Sequence, residues 1–277
     1  MRDERASRSR WSGLVATLCA ALLMCFGVGG AAPANAVAAN NMCDYGVFIG
    51  IRGTDTPAGA GAIHGGRAYN SGGYGGVEVL RSHLINFGTV PLYFVALNYP
   101  ASGGASFFGS VRQGRNTLVD EINWLVEQCG SYTPAIVIVG YSQGGAVALA
   151  ALTTAYDGSP NLAARARVAI MAVADIADPY YVPNKAYNAP NSTTTGWGRL
   201  GGILTEQQEE IASYRYWGWP PPGGTQGWVY KVRSWCSTDD YWCAGSDGPN
   251  AAEVHANAGT DNAWDAKEWI QYLTTSF

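Results

Sequence analysis

Apolar residues in this chain occur in short continuous runs rather than in strict alternation with polar ones. Five runs rich in β-branched and aromatic side chains cover residues 45–52, 92–99, 135–140, 168–174 and 228–232. Continuous apolar runs of this length are typical of strands that are buried on both faces. The pattern therefore predicts five short strands in the interior of a sheet.

Between these runs, apolar residues recur at helical spacing. Leu118, Ile122 and Leu125 fall on one helical face and predict an amphipathic helix. Further helices are predicted over residues 77–87, 143–155 and 266–273. Because strands that alternate with helices form a parallel sheet covered on both sides, the predicted fold class is doubly wound α/β, with a mostly parallel sheet between two helical layers.

One segment, residues 179–227, interrupts this alternation. It is rich in proline and aromatic residues, and its one predicted regular element is a helix that starts after Thr205, where Thr205 and Gln208 match a capping box. Long excursions without regular structure tend to carry function. We interpret the segment as an insertion over the active edge of the sheet, within one domain that spans residues 37–277.

The N-terminus has the pattern of an export signal. Four arginines precede an apolar run over residues 14–28, and Ala34-Asn35-Ala36 supplies small residues for cleavage. The run is short for a membrane span, so an anchor helix is the weaker alternative, and Met24 disfavours a lipid anchor at Cys25. We predict a signal peptide over residues 1–36 and a secreted, extracellular protein, monomeric and without a stable membrane anchor.

Composition narrows the classes of function. The 277 residues are 47% hydrophobic and 14% charged, which argues against disorder. The net charge is −4, and no cluster of Lys and Arg occurs beyond the first eleven residues, so nucleic acid is not an expected partner. The chain contains three histidines, His64, His83 and His255, which leaves histidine chemistry few places to occur.

Four cysteines remain after the predicted signal peptide: Cys43, Cys129, Cys236 and Cys243. An even number in an exported chain predicts two disulfides. Three pairings are possible, and the closeness of Cys236 and Cys243 favours one that leaves Cys43 to pair with Cys129. A zinc site is the alternative, but these spacings lack a Cys-x₂₋₄-Cys knuckle and paired histidines. We expect no metal and no organic cofactor.

The sequence Gly140-Tyr141-Ser142-Gln143-Gly144-Gly145 follows the apolar run 135–140 and precedes a small-residue helix. The pattern Gly-x-Ser-x-Gly can arise by chance in a glycine-rich chain, but a strand, a tight turn and a helix are the context that a nucleophile elbow requires. An ordinary glycine-rich turn is the alternative. We predict that Ser142 is a nucleophile at the N-terminus of a helix, where backbone N–H groups can stabilise an oxyanion.

A nucleophilic serine needs a general base, and in this type of fold the acid and the histidine follow it in the chain. Because His64 and His83 precede Ser142, His255 is the candidate base, in a segment (248–259) that we expect to be a loop. Asp239 and Asp240, between Cys236 and Cys243, are candidate acids. Asp178 is the competitor, although an Asp-Pro pair is often only a turn former.

At these residues the chain resembles the cutinase family, which includes acetylxylan esterases and cutinase-like lipases. The resemblance is carried by the strand that ends in Arg52-Gly53-Thr54, by the motif around Ser142, and by the loop Cys236 to Cys243, which matches Cys-x₃-Asp-x₂-Cys. It implies an α/β-hydrolase fold and a serine esterase that forms an acyl-enzyme.

The resemblance also implies a role for each site residue. Ser142 would be the nucleophile, His255 the base and Asp240, rather than Asp239, the acid. The backbone N–H groups of Thr54 and Gln143, with the Thr54 hydroxyl, would form the oxyanion hole. The implied disulfides are Cys43–Cys129 and Cys236–Cys243.

The expected partner is an ester substrate, which could be a lipid, a polyester, an acylated glycan or a mycolyl ester of a cell wall. The insertion 179–227 departs from compact members of the family and leaves the substrate open. Its aromatic residues, together with the tryptophan directly after it, could line an acyl or glycan site, form a lid or build a small satellite core: Trp197, Tyr214, Tyr216, Trp217, Trp219 and Trp228. The alternative function is a non-catalytic cell-wall or glycan-binding protein on a hydrolase fold.

Overall fold

The computed structural model describes residues 42–86, 92–154, 158–201, 205–219 and 225–275. The predicted signal peptide, residues 1–36, lies outside these ranges. The strands are β1 (Gly46–Ile51), β2 (Ala60–Ile63), β3 (Ala68–Ser71), β4 (Leu92–Leu97), β5 (Ile136–Tyr141), β6 (Ile170–Ile176), β7 (Arg215–Gly218), β8 (Gly227–Tyr230) and β9 (Val232–Trp235). The helices are α1 (Glu78–Asn86), α2 (Phe107–Gln128), α3 (Gln143–Ala151), α4 (Ala164–Ala169), α5 (Thr205–Ala212), α6 (Ala251–Asp261) and α7 (Ala263–Thr275).

Seven strands form the main sheet, in the order β2-β3-β4-β1-β5-β6-β9. The five strands from β4 to β9 are parallel, whereas β2 and β3 pair antiparallel at one edge. The sequence pattern missed β2 and β3 because their residues are largely exposed and carry no continuous apolar run. The predicted mostly parallel α/β sheet is confirmed.

Side chains of the central strands alternate between two cores. Val47 and Ile49 of β1 pack with α2, α3 and α4 on one face, and Phe48 packs with α1, α6 and α7 on the other. Both faces are therefore covered, which explains the continuous apolar runs. Among the described residues, no helix combines the length and hydropathy that a membrane span needs.

The run 228–232 is two strands rather than the single one predicted. Residues up to Tyr230 belong to β8, which pairs antiparallel with β7 in a separate two-stranded sheet, and Val232 begins β9 at the edge of the main sheet. The predicted helix after Thr205 is confirmed as α5.

Two disulfides are formed, and they pair as expected. Cys43–Cys129 joins the chain before β1 to the end of α2, with a Cα–Cα distance of 5.3 Å. Cys236–Cys243 closes a short loop after β9, with a Cα–Cα distance of 5.8 Å. We call this loop, residues 236–243, the acid loop.

Candidate active site

Ser142 lies in a tight turn between β5 and α3, at the carboxyl end of the parallel strands. Its φ is 54° and its ψ is −120°, a conformation that is strained for a residue with a side chain. A Cβ on Gly140 would lie 2.3 Å from the Gly144 carbonyl oxygen, and one on Gly144 would lie 2.2 Å from the Ile51 carbonyl oxygen. Glycine is therefore required at both positions, and the close packing holds the serine in its strained conformation.

His255 brings its imidazole to this serine. The Ser142 hydroxyl and Nε2 of His255 are 3.0 Å apart. The prediction of a loop around this histidine is wrong, because His255 lies in the middle of α6. The segment contains Gly248, Pro249 and Asn250, which made it look irregular, but these residues precede the helix and Asn250 is its N-cap.

Tyr141 fixes the position of His255 from the other side. Its hydroxyl donates to the backbone carbonyl of His255 at 2.7 Å, and the two rings stack with centroids 5.6 Å apart. Burial, and to a lesser degree the charge of Asp240, raises the pKa of Tyr141 to about 12. The hydroxyl therefore stays protonated and donates throughout the neutral range. Sequence reasoning missed this contact because the tyrosine is only the variable position of the Gly-x-Ser-x-Gly pattern.

Asp240 is the carboxylate that contacts His255. Its Oδ1 and Oδ2 lie 2.9 and 3.0 Å from Nδ1 of the imidazole. The carboxylate is fully buried, and Oδ1 also accepts the backbone N–H groups of Trp242 (2.7 Å) and Cys243 (2.8 Å). Both donors lie in the acid loop, which the Cys236–Cys243 disulfide closes.

The two competing acids are placed differently. Asp239 is exposed. Asp178 is buried after β6, where Oδ1 accepts the Tyr180 N–H at 2.9 Å, and within the described parts of the chain it makes no hydrogen bond to His255. The structure therefore brings Ser142, His255 and Asp240 into one hydrogen-bonded chain, of which Asp178 is not a part.

This arrangement can activate a hydroxyl. Since Nδ1 faces a carboxylate, Nδ1 carries the imidazole proton and Nε2 is left to accept one. A serine hydroxyl whose proton can pass to Nε2 becomes a nucleophile toward a carbonyl carbon.

Two residues, Thr54 and Gln143, are expected to form an oxyanion hole. Gln143 is the first residue of α3, where backbone N–H groups have no partner within the helix. Its buried side chain accepts the Ser110 hydroxyl at 3.2 Å and donates to the Ser102 carbonyl at 2.9 Å, which fixes the first turn of the helix. Thr54 lines the cavity above Ser142.

A cavity of about 310 Å³ opens at the serine. Its walls are formed by Thr54, Asp55, Gly103, Gly104, Phe107, Tyr141, Ser142, Pro179, Trp242 and His255. A larger cavity of about 700 Å³, between β9 and α7, contains neither Ser142 nor His255. Size alone therefore does not locate the site.

The described parts of the segment 179–227 do not all lie at the active edge of the sheet. Pro179 borders the cavity, but Tyr214 donates its hydroxyl to the carbonyl of Leu152, beyond the far end of α3. Lys231, directly after β8, donates its side chain to the carbonyl of Ile170 at the first residue of β6. The β7–β8 hairpin therefore lies at the amino ends of the parallel strands, whereas Ser142 lies at their carboxyl ends.

None of the six aromatic residues singled out above, five in this segment and Trp228 directly after it, lines the cavity. Tyr214 belongs to the core, and Trp217 and Trp228 form an exposed edge-to-face pair on the hairpin, with centroids 5.4 Å apart. Instead, the aromatic residues of the cavity come from α2, the serine turn and the acid loop, where sequence reasoning had not looked for them.

The amino-acid sequence is similar to known proteins. A family model described as Cutinase matches residues 43–273. Acetylxylan esterase 2 of Talaromyces purpureogenus is 29% identical over 185 residues, which covers 64% of this chain and 70% of that protein. Cutinase 11 of Verticillium dahliae is 30% identical over 179 residues, covering 59% of this chain and 52% of that protein.

Solved structures agree on the fold. The catalytic core domain of acetyl xylan esterase from Trichoderma reesei superposes with a TM-score of 0.58 at 24% identity, covering 83% of this chain and 98% of that one. A cutinase-like protein from Cryptococcus sp. superposes with a TM-score of 0.54 at 18% identity, covering 85% and 95%. At these identities the likeness concerns the fold alone.

Proposed function

The chain belongs to the cutinase family of carboxylic-ester hydrolases, and from this premise we propose that Ser142, His255 and Asp240 are its catalytic residues and that it acts through an acyl-enzyme. The observation that carries the proposal is the unbroken hydrogen-bonded chain from the Ser142 hydroxyl through both imidazole nitrogens to the buried Asp240. Such a chain is what a serine nucleophile needs.

In the first half-reaction, the Ser142 oxygen attacks the ester carbonyl carbon while its proton passes to Nε2 of His255. The resulting oxyanion accepts the backbone N–H groups of Thr54 and Gln143, with the Thr54 hydroxyl as a further donor. Collapse of this intermediate breaks the bond to the alcohol, which takes the proton from Nε2 and leaves the acyl group on Ser142. Asp240 stabilises the imidazolium and keeps its ring oriented.

In the second half-reaction, water attacks the acyl carbonyl and gives its proton to Nε2. The oxyanion is stabilised as before, and collapse returns the proton to the serine oxygen as the carboxylic acid leaves. No step needs an electron acceptor or a group from outside the chain other than water.

The test replaces the nucleophile. We expect Ser142→Ala to lose hydrolysis of p-nitrophenyl butyrate by several orders of magnitude, and we expect a fluorophosphonate probe to label the wild-type protein but not this variant. Ser213→Ala, which changes an exposed hydroxyl near the opposite edge of the sheet, is the control and should match the wild type. Wild-type turnover by Ser142→Ala would overturn the proposal, and failure of the probe to label the wild type would favour the non-catalytic glycan-binding alternative.

We further propose that the acyl group is short. A volume of about 310 Å³ is at the lower end for small-molecule sites, and its walls include Phe107, Pro179 and Trp242. A long chain would have to leave this cavity and lie on open surface. In a series of p-nitrophenyl esters, kcat/KM should be highest at acetate to butyrate and fall for longer acids. A maximum at dodecanoate or beyond would contradict this.

We also propose that the protein is exported. Two disulfides are typical of proteins from oxidising compartments, and this supports the interpretation of residues 1–36 as a signal peptide that precedes a single hydrolase domain. We propose that the mature enzyme is an extracellular monomer without a stable membrane anchor. N-terminal sequencing of protein from the culture medium would check the cleavage site, and light scattering would check the monomer.

A further inference from the structure

Two buried carboxyl groups lie beneath the turn that carries Ser142 and take no part in the proposed reaction. Asp175 is the sixth residue of β6, and Asp178 follows that strand by two residues. Asp175 is 1% exposed and Asp178 is fully buried. Both side chains pack against α3 at Gly145, because a Cβ on this glycine would lie 2.2 Å from Oδ1 of Asp175 and 3.3 Å from Cβ of Asp178.

Each carboxyl group has one satisfied oxygen and one that is not. Oδ2 of Asp175 accepts the Ser234 hydroxyl at 2.7 Å, and Oδ1 of Asp178 accepts the Tyr180 N–H at 2.9 Å. Oδ1 of Asp175 and Oδ2 of Asp178 are buried and accept no hydrogen bond from any described residue. Buried polar atoms without partners are rare and costly, so each of these oxygens calls for a donor.

A proton on one of the two groups supplies that donor. Two ionised carboxylates side by side in a buried space repel each other and are both desolvated, whereas a carboxylic acid can donate to the free oxygen of its neighbour. One proton therefore removes one of the two buried charges and turns one of the unpartnered acceptors into a donor.

We propose that Asp175 and Asp178 hold one proton between them, and that this acid pair positions the turn that carries Ser142. The link to the serine is direct in the backbone: Ser142 donates its N–H to the carbonyl of Ile176, between the two aspartates, at 2.8 Å. Gly145, against which the pair packs, donates its own N–H to the carbonyl of Ser142 at 2.9 Å. The pair thus lies at the point where β6 and the first turn of α3 both contact the serine.

The surroundings of the pair favour the protonated form. Burial raises the pKa of Asp175 and of Asp178, and the charge of Asp175 raises that of Asp178 further. The Ser234 hydroxyl and the Tyr180 N–H oppose this to a smaller extent. The titratable groups that interact with the pair are Tyr180, Tyr181 and Tyr187, and their own pKa values are raised by burial, so they stay neutral. On α3, Gly145 contacts the pair and carries no titratable group.

The first experiment counts the proton and uses no substrate. A carboxyl whose pKa is higher in the folded state contributes stability that is complete below the pKa of the unfolded chain and is lost as pH rises through the folded value. Between these limits, one retained proton raises the unfolding equilibrium constant about tenfold per pH unit. The constant is measured by urea unfolding with disulfides intact, at half-unit steps from pH 5 upward.

Asp178→Asn is the matched variant, because its amide oxygen can keep the Tyr180 bond while its NH₂ donates to Asp175 without a titratable proton. When the logarithm of the unfolding constant is plotted against pH, we expect the slope for this variant to be lower than that of the wild type by one, which corresponds to one proton. Asp239→Asn, which removes an exposed carboxylate, should keep the wild-type slope. Equal slopes for the wild type and Asp178→Asn would overturn the shared proton.

Infrared spectroscopy detects the protonated carboxyl group directly, so it tests the proposal even if Asp178→Asn fails to fold. The wild type at pH 6 should show the C=O stretch of a buried protonated carboxylic acid, and Asp175→Asn, whose oxygen can keep the Ser234 bond, should lose that band. Absence of the band from the wild type, or its persistence in Asp175→Asn, would contradict the proposal.

The second experiment tests positioning and rests on the proposed esterase function. When pH rises until the infrared band disappears, we expect kcat of the wild type for p-nitrophenyl butyrate to fall at least threefold, with unchanged circular dichroism. The side-chain amide introduced by Asp178→Asn does not titrate, so kcat of this variant should not fall in the same pH range. If kcat of the wild type stays constant while the band is lost, the pair does not position the serine. This result differs from failure of the esterase proposal, in which Ser142→Ala keeps its activity.

Discussion

Replacing Asp240 by Asn tests how the acid loop sets the state of His255. Oδ1 of Asp240 already accepts two backbone N–H groups of the acid loop. An asparagine at this position would therefore keep its oxygen there and place its NH₂ where Oδ2 now faces Nδ1. Two N–H groups cannot donate to each other, so the imidazole would move its proton to Nε2, the nitrogen that must accept the proton of Ser142.

The expected cost follows from this tautomer. The geometry of the site is preserved, because Asn and Asp have the same shape, but Nε2 is no longer a base. A wrong tautomer of this kind lowers kcat by about 10⁴-fold in serine hydrolases, or about 5 kcal/mol of transition-state stabilisation. Because the variant still fills the buried site, we expect the loss in kcat rather than in KM.

The assay compares kcat and KM of the wild type, Asp240→Asn, Asp239→Asn and Asp178→Asn with p-nitrophenyl butyrate at pH 7.5. Asp239→Asn is the matched control, since it removes the neighbouring, exposed carboxylate and should stay within about twofold of the wild type. Asp178→Asn should lose far less than Asp240→Asn. The reasoning would be refuted if folded Asp240→Asn lost less than tenfold in kcat, or if Asp178→Asn lost as much.

Three further predictions concern the supports of the site. Cys236→Ser opens the acid loop and should lower the free energy of unfolding by about 2 kcal/mol, with a fall in kcat that reduction of the wild type reproduces; chemical denaturation unchanged from the wild type would contradict this. Gly145→Ala would bring a methyl group against Asp175 and should cost about 1–3 kcal/mol of stability, with a loss of fluorophosphonate labelling. Trp217→Ala, on the exposed hairpin, should leave kcat/KM for butyrate unchanged, whereas Trp242→Ala, in the cavity wall, should change it; the opposite result would mean that the hairpin reaches the site.

The fold could be predicted from the sequence where burial alone decides the pattern. Strands β1, β4, β5 and β6 are covered on both faces, so their apolar runs identify them. The run 228–232 misled because hydrophobicity does not say which sheet a strand joins. Lys231 separates two strands in different sheets, and its N–H donates to the backbone carbonyl of Tyr214, a partner outside the run that the pattern of the run does not reveal.

The residues of the candidate site could be identified from order and spacing, but their supports could not. With three histidines in the chain, the order of serine, acid and histidine selects His255 from the sequence. Spacing carries no information on which donors satisfy Asp240 or which side chain contacts the histidine backbone. Those partners, Trp242 and Tyr141, depend on how the acid loop and α6 pack on the serine turn.

The helical position of His255 changes how the site must work. A histidine on a loop could swing toward Ser142 on substrate binding, but the backbone of His255 is held by α6 and its carbonyl by the hydroxyl of Tyr141, the residue before Ser142. Ser142 itself is held by Ile176 and, through Gly145, by the packing around Asp175. Because both residues are anchored to rigid elements before substrate arrives, little reorganisation remains for the proposed reaction. Selection among esters then falls to the cavity walls, which Phe107, Pro179 and Trp242 supply from separate parts of the chain.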